Sequence, residues 1–578
     1  MAAEPLGNFS FVLHAHLPYV LAHGRWPHGM DWILESAAET YIPVLDVFNR
    51  LLQEGHSPKV TVGITPVLAE QLAHDSFKSE LERYLQQRIG SAIENEREFQ
   101  SQGFGHRASL AKRWQEFFSG VLQRFREKYN RDIVGAFRAL QDAGHIEIIT
   151  SAATHGYLPL IGTDENVQAQ IAVGVSTYQR HFGRQPRGCW LPECAYRPRY
   201  AWKPPVDGPL GDVPVLRKGV EEFLSESGLN YCIVDSHLLR GGKAIGVYVS
   251  RFPSLKVLWQ QFADQYQPLP QKEDLTEHRC YFVHGGEAAE AVSVLARDER
   301  TGLQVWSGEW GYPGDGWYLE FHKKHFPGGH RYWRVTSAKC DLADKWEYEP
   351  DKAAERMPGQ ADHFKNLVKD LLREHRARFN DTGIVCAPYD AELFGHWWFE
   401  GPEWLYYVLK WMSQDPEIRL VTCSEHLAEN PPTTGVALPE GSWGEGGFHW
   451  IWLNEWTMWT WEHIYEAEVE FRNLVRKNPR ARGELLEVLR QAGRELLLLE
   501  GSDWQFLIST WSARDYAETR VSEHFSCFKR LTDLARRLAS GQDVPPEDWN
   551  YFHAIQERDQ LFPDLDIGLF AGLRKPVA

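Results

Sequence analysis

Short, strongly apolar runs recur along this 578-residue chain, and helix-patterned segments lie between them. Several runs are apolar at nearly every position, which is typical of parallel strands that helices cover on both faces. The runs that we predict as strands are 9–14, 59–64, 145–150, 187–191, 230–234, 383–388 and 418–422. Strands that alternate with helices predict an α/β fold, and seven of them predict an incomplete or seven-fold (β/α)7 barrel.

Two stretches interrupt this alternation. Residues 76–140 are charged and helix-patterned, which predicts a helical domain inserted within the barrel. Residues 236–350 form a long excursion between the fifth and sixth predicted strands, and excursions of this length are usually lids or binding elements. We therefore predict a catalytic barrel over 1–435 and a C-terminal helical domain over 436–578.

Charge and aromatic content restrict the class of partner. The net charge of -17, with only 62 Lys+Arg, argues against nucleic acid and against an anionic membrane surface. Aromatic residues make up 13% of the chain and include 24 Trp, which exceeds what a core needs because Trp favours ligand surfaces. Neutral polymers remain, and the aromatic surplus points to carbohydrate.

Targeting signals and cysteine usage indicate the compartment. The amino-terminal sequence MAAEPLGNFSF has no basic region, and no run reaches about 18 uninterrupted apolar residues. We therefore expect a cytoplasmic protein with no membrane segment. The eight cysteines lack CxxC spacing and read as reduced core residues, and four of them lie in apolar runs: Cys189, Cys232, Cys386 and Cys423.

Two of the predicted strands run into a proline and then a carboxylate. The sequences are GCWLPEC, which places Glu193 after one strand, and IVCAPYD, which places Asp390 after another. A barrel enzyme keeps its acids at such strand ends, and two carboxyls with different pKa values are what glycoside chemistry requires. Nearby aromatic residues suit stacking on sugar rings: Trp190, Tyr196, Tyr389, Phe394, Trp397 and Trp398. The alternative is that both acids only cap the following helices.

Histidines and acids also follow other predicted strands. His14 and His16 have a period of two and point the same way at the end of the first strand, His155 follows the third, and Asp235 follows the fifth. If the sheet is parallel, these residues share one rim. The histidines are candidates for binding sugar hydroxyls, for ligating zinc together with Asp235, His155 or Asp390, or for a structural role. No HExxH or similarly tight spacing supports zinc.

Tryptophan is concentrated in WGEGGFHWIWLNEWTMWTW, which contains six in nineteen residues from 443 to 461. A helical core accounts for some of them, but the glycine-flanked Trp443 and the nearby Trp452 least resemble core residues. Asp503 and Trp504 begin a predicted helix, where capping is the ordinary role of Asp503.

Several of these segments resemble glycoside hydrolase family 57, and within it the branching enzymes that act on α-1,4-glucans. WLPECAY at 190–196 and APYDAELFGHWWFEGPEWL at 387–405 carry the resemblance most specifically, and HAHLPYV, HIEIITSAATHGYLPL, VWSGEWGYPGD and TCSEHL extend it over nearly the whole chain. The resemblance implies a seven-fold barrel in which Glu193 is the nucleophile and Asp390 the general acid/base of a retaining double displacement. Retention requires the two carboxyls to lie about 5–5.5 Å apart.

The same resemblance implies that no metal or cofactor takes part and that certain residues line a glucan cleft: His14, Trp32, His155, Trp306, Trp443 and Trp452. Position or motif adds further candidates for substrate binding: His16, Asp235, Trp397, Asp503 and Trp504.

The implied activity is cleavage of an α-1,4-glucan such as amylose, amylopectin or glycogen, with transfer of the chain to a 6-hydroxyl to form an α-1,6 branch. We expect a monomer or small homo-oligomer. The alternatives are a family 57 α-amylase-type hydrolase or 4-α-glucanotransferase, a zinc-dependent barrel glycosidase or deacetylase, and a non-catalytic glucan-binding regulator.

One loop departs from the pattern of the branching enzymes. These enzymes resemble one another in a mobile loop after the fifth strand, with a tyrosine near its tip that favours transfer over hydrolysis. Here the corresponding loop, 236–250, is short, Ile245 takes that place, and Tyr248 is the nearest tyrosine. We assign no role to the additional segment 256–285.

Overall fold

The computed structural model describes residues 4–244, 252–283, 290–307 and 311–573. Seven parallel strands form a closed barrel: β1 (Gly7–Ala15), β2 (Val60–Ile64), β3 (Ile146–Ser151), β4 (Gly188–Trp190), β5 (Tyr231–Asp235), β6 (Val292–Arg297) and β7 (Gly383–Asp390). Each strand pairs with the next in chain order, and β7 closes the ring by pairing with both β6 and β1. The predicted seven-fold barrel is confirmed.

One barrel strand differs from the prediction. Of the run 418–422, only Ile418–Leu420 forms a strand, and it pairs with Gly7–Phe9 at the beginning of β1, outside the ring. The sixth barrel strand is instead β6, inside the 236–350 excursion that we predicted as a lid. The sequence VSVLAR is apolar enough for a buried strand, but it lies between two long stretches with no clear alternation, so strand spacing did not reveal it.

Helices surround the barrel and extend it at the C-terminal end. In the first half of the chain they are α1 (Met30–Ser36), α2 (Ile42–Gln53), α3 (Pro66–Ala73), α4 (Asp75–Ser101), α5 (Gly105–Gln123), α6 (Ile133–Asp142), α7 (Asp164–Phe182), α8 (Val220–Glu226), α9 (Ser236–Arg240) and α10 (Pro253–Phe262). In the second half they are α11 (Glu299–Trp306), α12 (Pro350–Phe379), α13 (Gly401–Gln414), α14 (Cys423–Glu429), α15 (Met458–Lys477), α16 (Gly483–Leu499), α17 (Asp503–Thr510), α18 (Arg514–Ala539) and α19 (Pro546–Arg558).

Short strands add to the sheet and form one separate ribbon. Tyr281–Val283 pairs antiparallel with β6, and Gly435–Val436 pairs parallel with Tyr281–Val283. Tyr200–Trp202 and Val215–Arg217 form a two-stranded antiparallel ribbon.

The predicted insertion 76–140 contains two kinds of helix. Helices α4 and α5 pack against each other and against the segment 325–348, where Asn95 Nδ2 donates to the Tyr332 hydroxyl at 3.0 Å and Trp114 Nε1 donates to the Arg331 carbonyl at 2.7 Å. Helix α6 instead contacts α3, α7 and β3, so it belongs to the helical layer of the barrel.

The strands are buried as their apolar sequences require. All nine residues of β1 and all five of β2 are buried, because side chains on one face fill the barrel and those on the other meet the helices. Within the described ranges, none of the helices is both long and apolar enough to cross a membrane.

Candidate active site

The two predicted acids lie on the same rim of the barrel. Asp390 is the last residue of β7 and is the register partner of His14 on β1. Glu193 lies in the turn Pro192–Cys194 that follows β4. His14, the register partner of Asp390, is linked to Glu193 through His155 and Ser502. The two acids therefore share one site.

The backbone at this rim is strained. Glu193 has φ 60° and ψ 24°, Cys194 has φ 48°, and His155 after β3 has φ 59°. Residues other than glycine rarely adopt this left-handed backbone conformation. Each such residue costs roughly 1–3 kcal/mol of conformational free energy, which the surrounding structure must offset. Because such strain clusters at functional positions, its occurrence at Glu193 supports a role beyond helix capping.

The C-terminal region holds Glu193 in place. Trp443 donates from its indole Nε1 to Glu193 Oε2 at 2.8 Å, and Ser502 Oγ donates to Glu193 Oε1 at 3.4 Å. Burial raises the pKa of Glu193 to about 7, Asp503 adds to the rise, and the Trp443 and Ser502 hydrogen bonds and the His16 charge oppose it. The chain thus brings donors from residues 443 and 502 to an acid of the barrel.

A chain of hydrogen bonds leads from His14 to Glu193. His14 Nε2 lies 3.1 Å from His155 Nε2, and His155 Nδ1 lies 2.9 Å from Ser502 Oγ. Burial lowers the pKa of both imidazoles, with help from the His16 charge, so both rings are neutral. Since Ser502 donates to the carboxylate, the consistent tautomers have His14 donating to His155 and His155 donating to Ser502.

His16 forms a second, charged network. Its Nε2 lies 3.0 Å from Asp503 Oδ2, its Nδ1 lies 3.0 Å from Thr65 Oγ1, and its backbone N–H donates to Glu392 at 3.1 Å. Burial opposes the charge, but Asp503, Glu392 and Glu193 outweigh it and raise the pKa of His16. The raised pKa favours the protonated imidazole, which interacts with Asp503, Glu392 and Glu193.

The zinc alternative meets a chemical obstacle in this arrangement. One ligand atom each from His16, His155 and Asp503 lies within 4.8 Å of the others, so the group has the spacing of a metal site. However, both ring nitrogens of His16 and both of His155 already contact protein groups. A metal would therefore have to replace several of these hydrogen bonds.

Trp443 lies next to Glu193 and packs against Trp190 and Arg297. Its ring meets that of Trp190 edge to face at 5.2 Å, and the Arg297 guanidinium lies 5.4 Å from its centroid. Asp235 is fully buried and holds Arg297 at 2.9 Å. Burial raises the pKa of Asp235, but Arg297 and His237 outweigh it and lower the pKa overall. In the structure the Asp235 carboxylate supports Arg297 next to Trp443, and its predicted contact with substrate stays a prediction.

The other predicted tryptophans differ in exposure. Trp397 is 39% exposed and lies 6.4 Å from the buried ring of Trp306, whereas Trp32 is half-buried and meets Tyr516 at 5.4 Å. Trp452 is buried and stacks on Tyr157 at 4.6 Å.

Trp504 lies in the core of the C-terminal region. It is 1% exposed, donates to the Leu498 carbonyl at 2.8 Å and packs under Arg520. These contacts are those of a packing residue, and its predicted contact with substrate stays a prediction.

Sequence reasoning missed two residues of this site. Ser502 bridges His155 and Glu193, and Glu392, two residues after Asp390, accepts from Tyr41 as well as from His16. Burial raises the pKa of Glu392. The position of Glu392 in the motif PYDAE, two residues after Asp390, could have predicted it as a site residue. Ser502 lies between two helices, and its local sequence gives no such indication.

The loop after β5 is only partly described. Ile245 and Tyr248, on which the comparison with branching enzymes depended, lie outside the described residues. Of the segment 256–285, the first part belongs to α10, which packs against α17, and Tyr281–Val283 extends the sheet.

Comparison with known families agrees with this geometry. Residues 10–439 match the model described as glycosyl hydrolase family 57, and residues 463–570 match the model described as the C-terminal part of 1,4-alpha-glucan branching enzyme. The chain belongs to glycosyl hydrolase family 57.

Known proteins resemble this family member over its full length. It is 43% identical to the 1,4-alpha-glucan branching enzyme TK1436 of Thermococcus kodakarensis, over 99% of this chain and 79% of the relative. The crystal structure of TK1436 with glucose and additives superimposes with a TM-score of 0.88, at 42% identity over 99% of this chain and 98% of that chain.

Two further crystal structures are similar. The branching enzyme of Pyrococcus horikoshii gives a TM-score of 0.87 at 39% identity, over 99% of this chain and 98% of that chain. The alpha-amylase AmyC of Thermotoga maritima gives 0.78 at 28% identity, over 98% of this chain and 99% of that chain.

Proposed function

We propose that this family 57 protein is a retaining 1,4-α-glucan branching enzyme, with Glu193 as nucleophile and Asp390 as general acid/base. The observation that carries the proposal is the joint site of the two acids at the ends of β4 and β7, in which Trp443 donates to Glu193. The similarity to two branching enzymes over nearly the whole chain, including the C-terminal region, supports transfer as the outcome.

The chemistry proceeds in two displacements. A Glu193 carboxylate oxygen attacks C1 of the glucosyl unit, the bond from C1 to O4 of the leaving chain breaks, and Asp390 gives its proton to that O4. In the second step Asp390 takes the proton of an acceptor 6-hydroxyl, whose oxygen attacks C1 and releases Glu193. Two inversions restore the α configuration and create an α-1,6 bond.

Transfer requires that a glucan hydroxyl, and not water, reaches C1 in the second step. Aromatic walls favour this because they bind the flat apolar faces of an acceptor chain and displace water from the site. We infer that Trp443 beside Glu193 and the exposed Trp397 in the segment after Asp390 supply such walls, and that Trp32 adds to them.

Proton NMR of amylose after incubation tests the proposal. Branching produces new α-1,6 anomeric signals with few new reducing ends, and the Glu193→Gln variant produces neither. New reducing ends without α-1,6 signals identify a hydrolase, and a changed distribution of α-1,4 chains without either identifies a 4-α-glucanotransferase. Full activity of the Glu193→Gln variant contradicts the assigned nucleophile.

The remaining properties are inferred from the sequence. We infer that α-glucan is the partner, as the name of the relative TK1436 states for that enzyme. A cytoplasmic location and a monomer or small homo-oligomer remain predictions.

A further inference from the structure

Two tryptophan side chains form a surface pair away from Glu193. The rings of Trp456 and Trp511 lie 5.3 Å apart and are tilted by 43°. Trp511 is 51% exposed and Trp456 is half-buried. We call this pair the Trp456/Trp511 platform.

Neither a favourable backbone conformation nor burial in the core explains why residue 511 is a tryptophan. Trp511 follows the last residue of α17 and has a left-handed backbone, with φ 57° and ψ 16°. Glycine adopts this conformation freely, whereas tryptophan adopts it at a cost in free energy. About half of the Trp511 surface is exposed to solvent, so burial offsets only part of the conformational cost. A residue that is strained and exposed is more readily explained by binding than by packing.

Both segments that carry the platform start at the active site. The segment from Trp443, which hydrogen-bonds to Glu193, leads to Trp456. Helix α17 begins at Asp503, which pairs with His16, and ends just before Trp511, about 12 Å further along at 1.5 Å per residue. The Asn454 side chain donates to Ser509 at 2.9 Å and ties the two segments together. The platform therefore lies about one length of α17 from Asp503 of the active site.

Polar groups beside the rings suit a carbohydrate. Exposed Glu455, next to Trp456, accepts a hydrogen bond from Gln261 of α10 at 2.8 Å, and exposed Ser512 follows Trp511, with its hydroxyl 2.8 Å from that of the buried Thr510. Amide, carboxylate and hydroxyl groups next to flat aromatic faces are the combination that binds sugar rings, which present apolar faces and polar edges.

We infer that the Trp456/Trp511 platform is a distal subsite for an α-1,4-glucan chain that extends from the catalytic cleft. This inference rests on the proposed function. The platform binds the remote part of a long chain, so it strengthens binding of long glucans and not of short ones that reach only the cleft.

Binding measurements in the Glu193→Gln background test the inference without turnover. Migration in native gels containing amylopectin gives apparent dissociation constants for E193Q and for E193Q combined with Trp511→Gly, Trp456→Ala or Trp346→Ala. Glycine fits the left-handed backbone at 511, so W511G removes only the ring. Trp346 is 64% exposed but lies on the segment that packs with α4 and α5, so it is the matched control.

We expect W511G and W456A to weaken amylopectin binding about two- to tenfold, as loss of one aromatic contact implies, and W346A to leave it unchanged. The affinity for maltotriose, measured by calorimetry, stays the same in W511G. Unchanged amylopectin binding in folded W511G overturns the inference, as does an equal loss in W346A or an equal loss for maltotriose. Wild-type protein that forms no α-1,6 bonds while these binding differences persist would refute the proposed function alone.

Discussion

Trp443 holds Glu193 at two points. Its indole Nε1 donates to Glu193 Oε2 at 2.8 Å, and its backbone N–H donates to the Glu193 carbonyl at 3.1 Å. The two residues are 250 positions apart in the sequence. The barrel thus provides the acid, and the C-terminal region fixes both its carboxylate and its strained backbone.

Replacing Trp443 with phenylalanine keeps a ring but removes the indole donor. Because that hydrogen bond lowers the pKa of Glu193, its loss raises the pKa above the present value of about 7. A nucleophile must be ionised, so the acidic limb of kcat/KM moves to higher pH. Near neutral pH we expect kcat/KM to fall about ten- to a hundredfold, the range for a lost hydrogen bond to a charged group. An unmoved acidic limb in the pH profile would contradict this account.

Ser502→Ala gives a weaker version of the same effect. Ser502 donates to Glu193 at 3.4 Å, compared with 2.8 Å for Trp443, and the longer bond contributes less. We expect the acidic limb to move in the same direction but by a smaller amount than in Trp443→Phe. The two variants are measured side by side over the same pH range, and a larger shift in Ser502→Ala would reverse the order that the distances predict.

Chemical rescue with azide separates the roles of the two acids. The raised pKa of Glu193 would also suit a general acid, so pH profiles alone do not assign the roles. In Glu193→Ala, azide replaces the nucleophile and attacks an α-linked substrate with inversion, giving a β-glucosyl azide. In Asp390→Ala, azide attacks the glycosyl-enzyme and gives an α-glucosyl azide. NMR of the products identifies the anomer, and the opposite pairing would exchange the two roles.

The strand and carboxylate pattern predicted the acids, but not the groups that support them. The sequences WLPEC and APYD placed Glu193 and Asp390 correctly at strand ends because strand, proline and acid are local neighbours. Ser502 lies 309 positions from Glu193, and nothing in its local sequence distinguishes it from any serine at a helix start. Asp235 also fits the strand-end pattern, yet it is buried under Arg297, whose strand β6 was not predicted. Local patterns therefore indicate which residues reach the rim, whereas long-range packing decides which of them face substrate.

Asp503→Asn tests the charged pair with His16. The folded-state pKa of His16 is raised, so the pair contributes stability fully below the unfolded pKa of about 6.5 and loses it as pH rises through the folded value. We expect wild type to exceed the variant by about 1–2 kcal/mol in unfolding free energy near pH 6, and by less near pH 9. Urea unfolding at both pH values measures the difference. A difference that grows with pH would contradict the proposed charge state.

Glu468 joins α15 to the loop after β3, and its variants test how the C-terminal region is attached to the barrel. Its carboxylate is fully buried and accepts from the Gly162 N–H at 2.9 Å and from the Thr163 hydroxyl at 2.8 Å. Burial raises its pKa from 4.5 to about 7. A carboxyl group with a raised folded-state pKa stabilises the fold below the unfolded pKa, and that contribution is lost as pH rises from about 4.5 to about 7.

Glu468→Gln mimics the protonated form at every pH, so near pH 8 we expect it to be at least as stable as wild type. Glu468→Ala leaves the Gly162 and Thr163 donors unpaired and opens a cavity, so we expect it to be about 2–4 kcal/mol less stable than Glu468→Gln at either pH. Denaturant midpoints for the three proteins near pH 5 and pH 8 decide between these outcomes, and a Gln variant as unstable as the Ala variant would show that the ionised carboxylate is required.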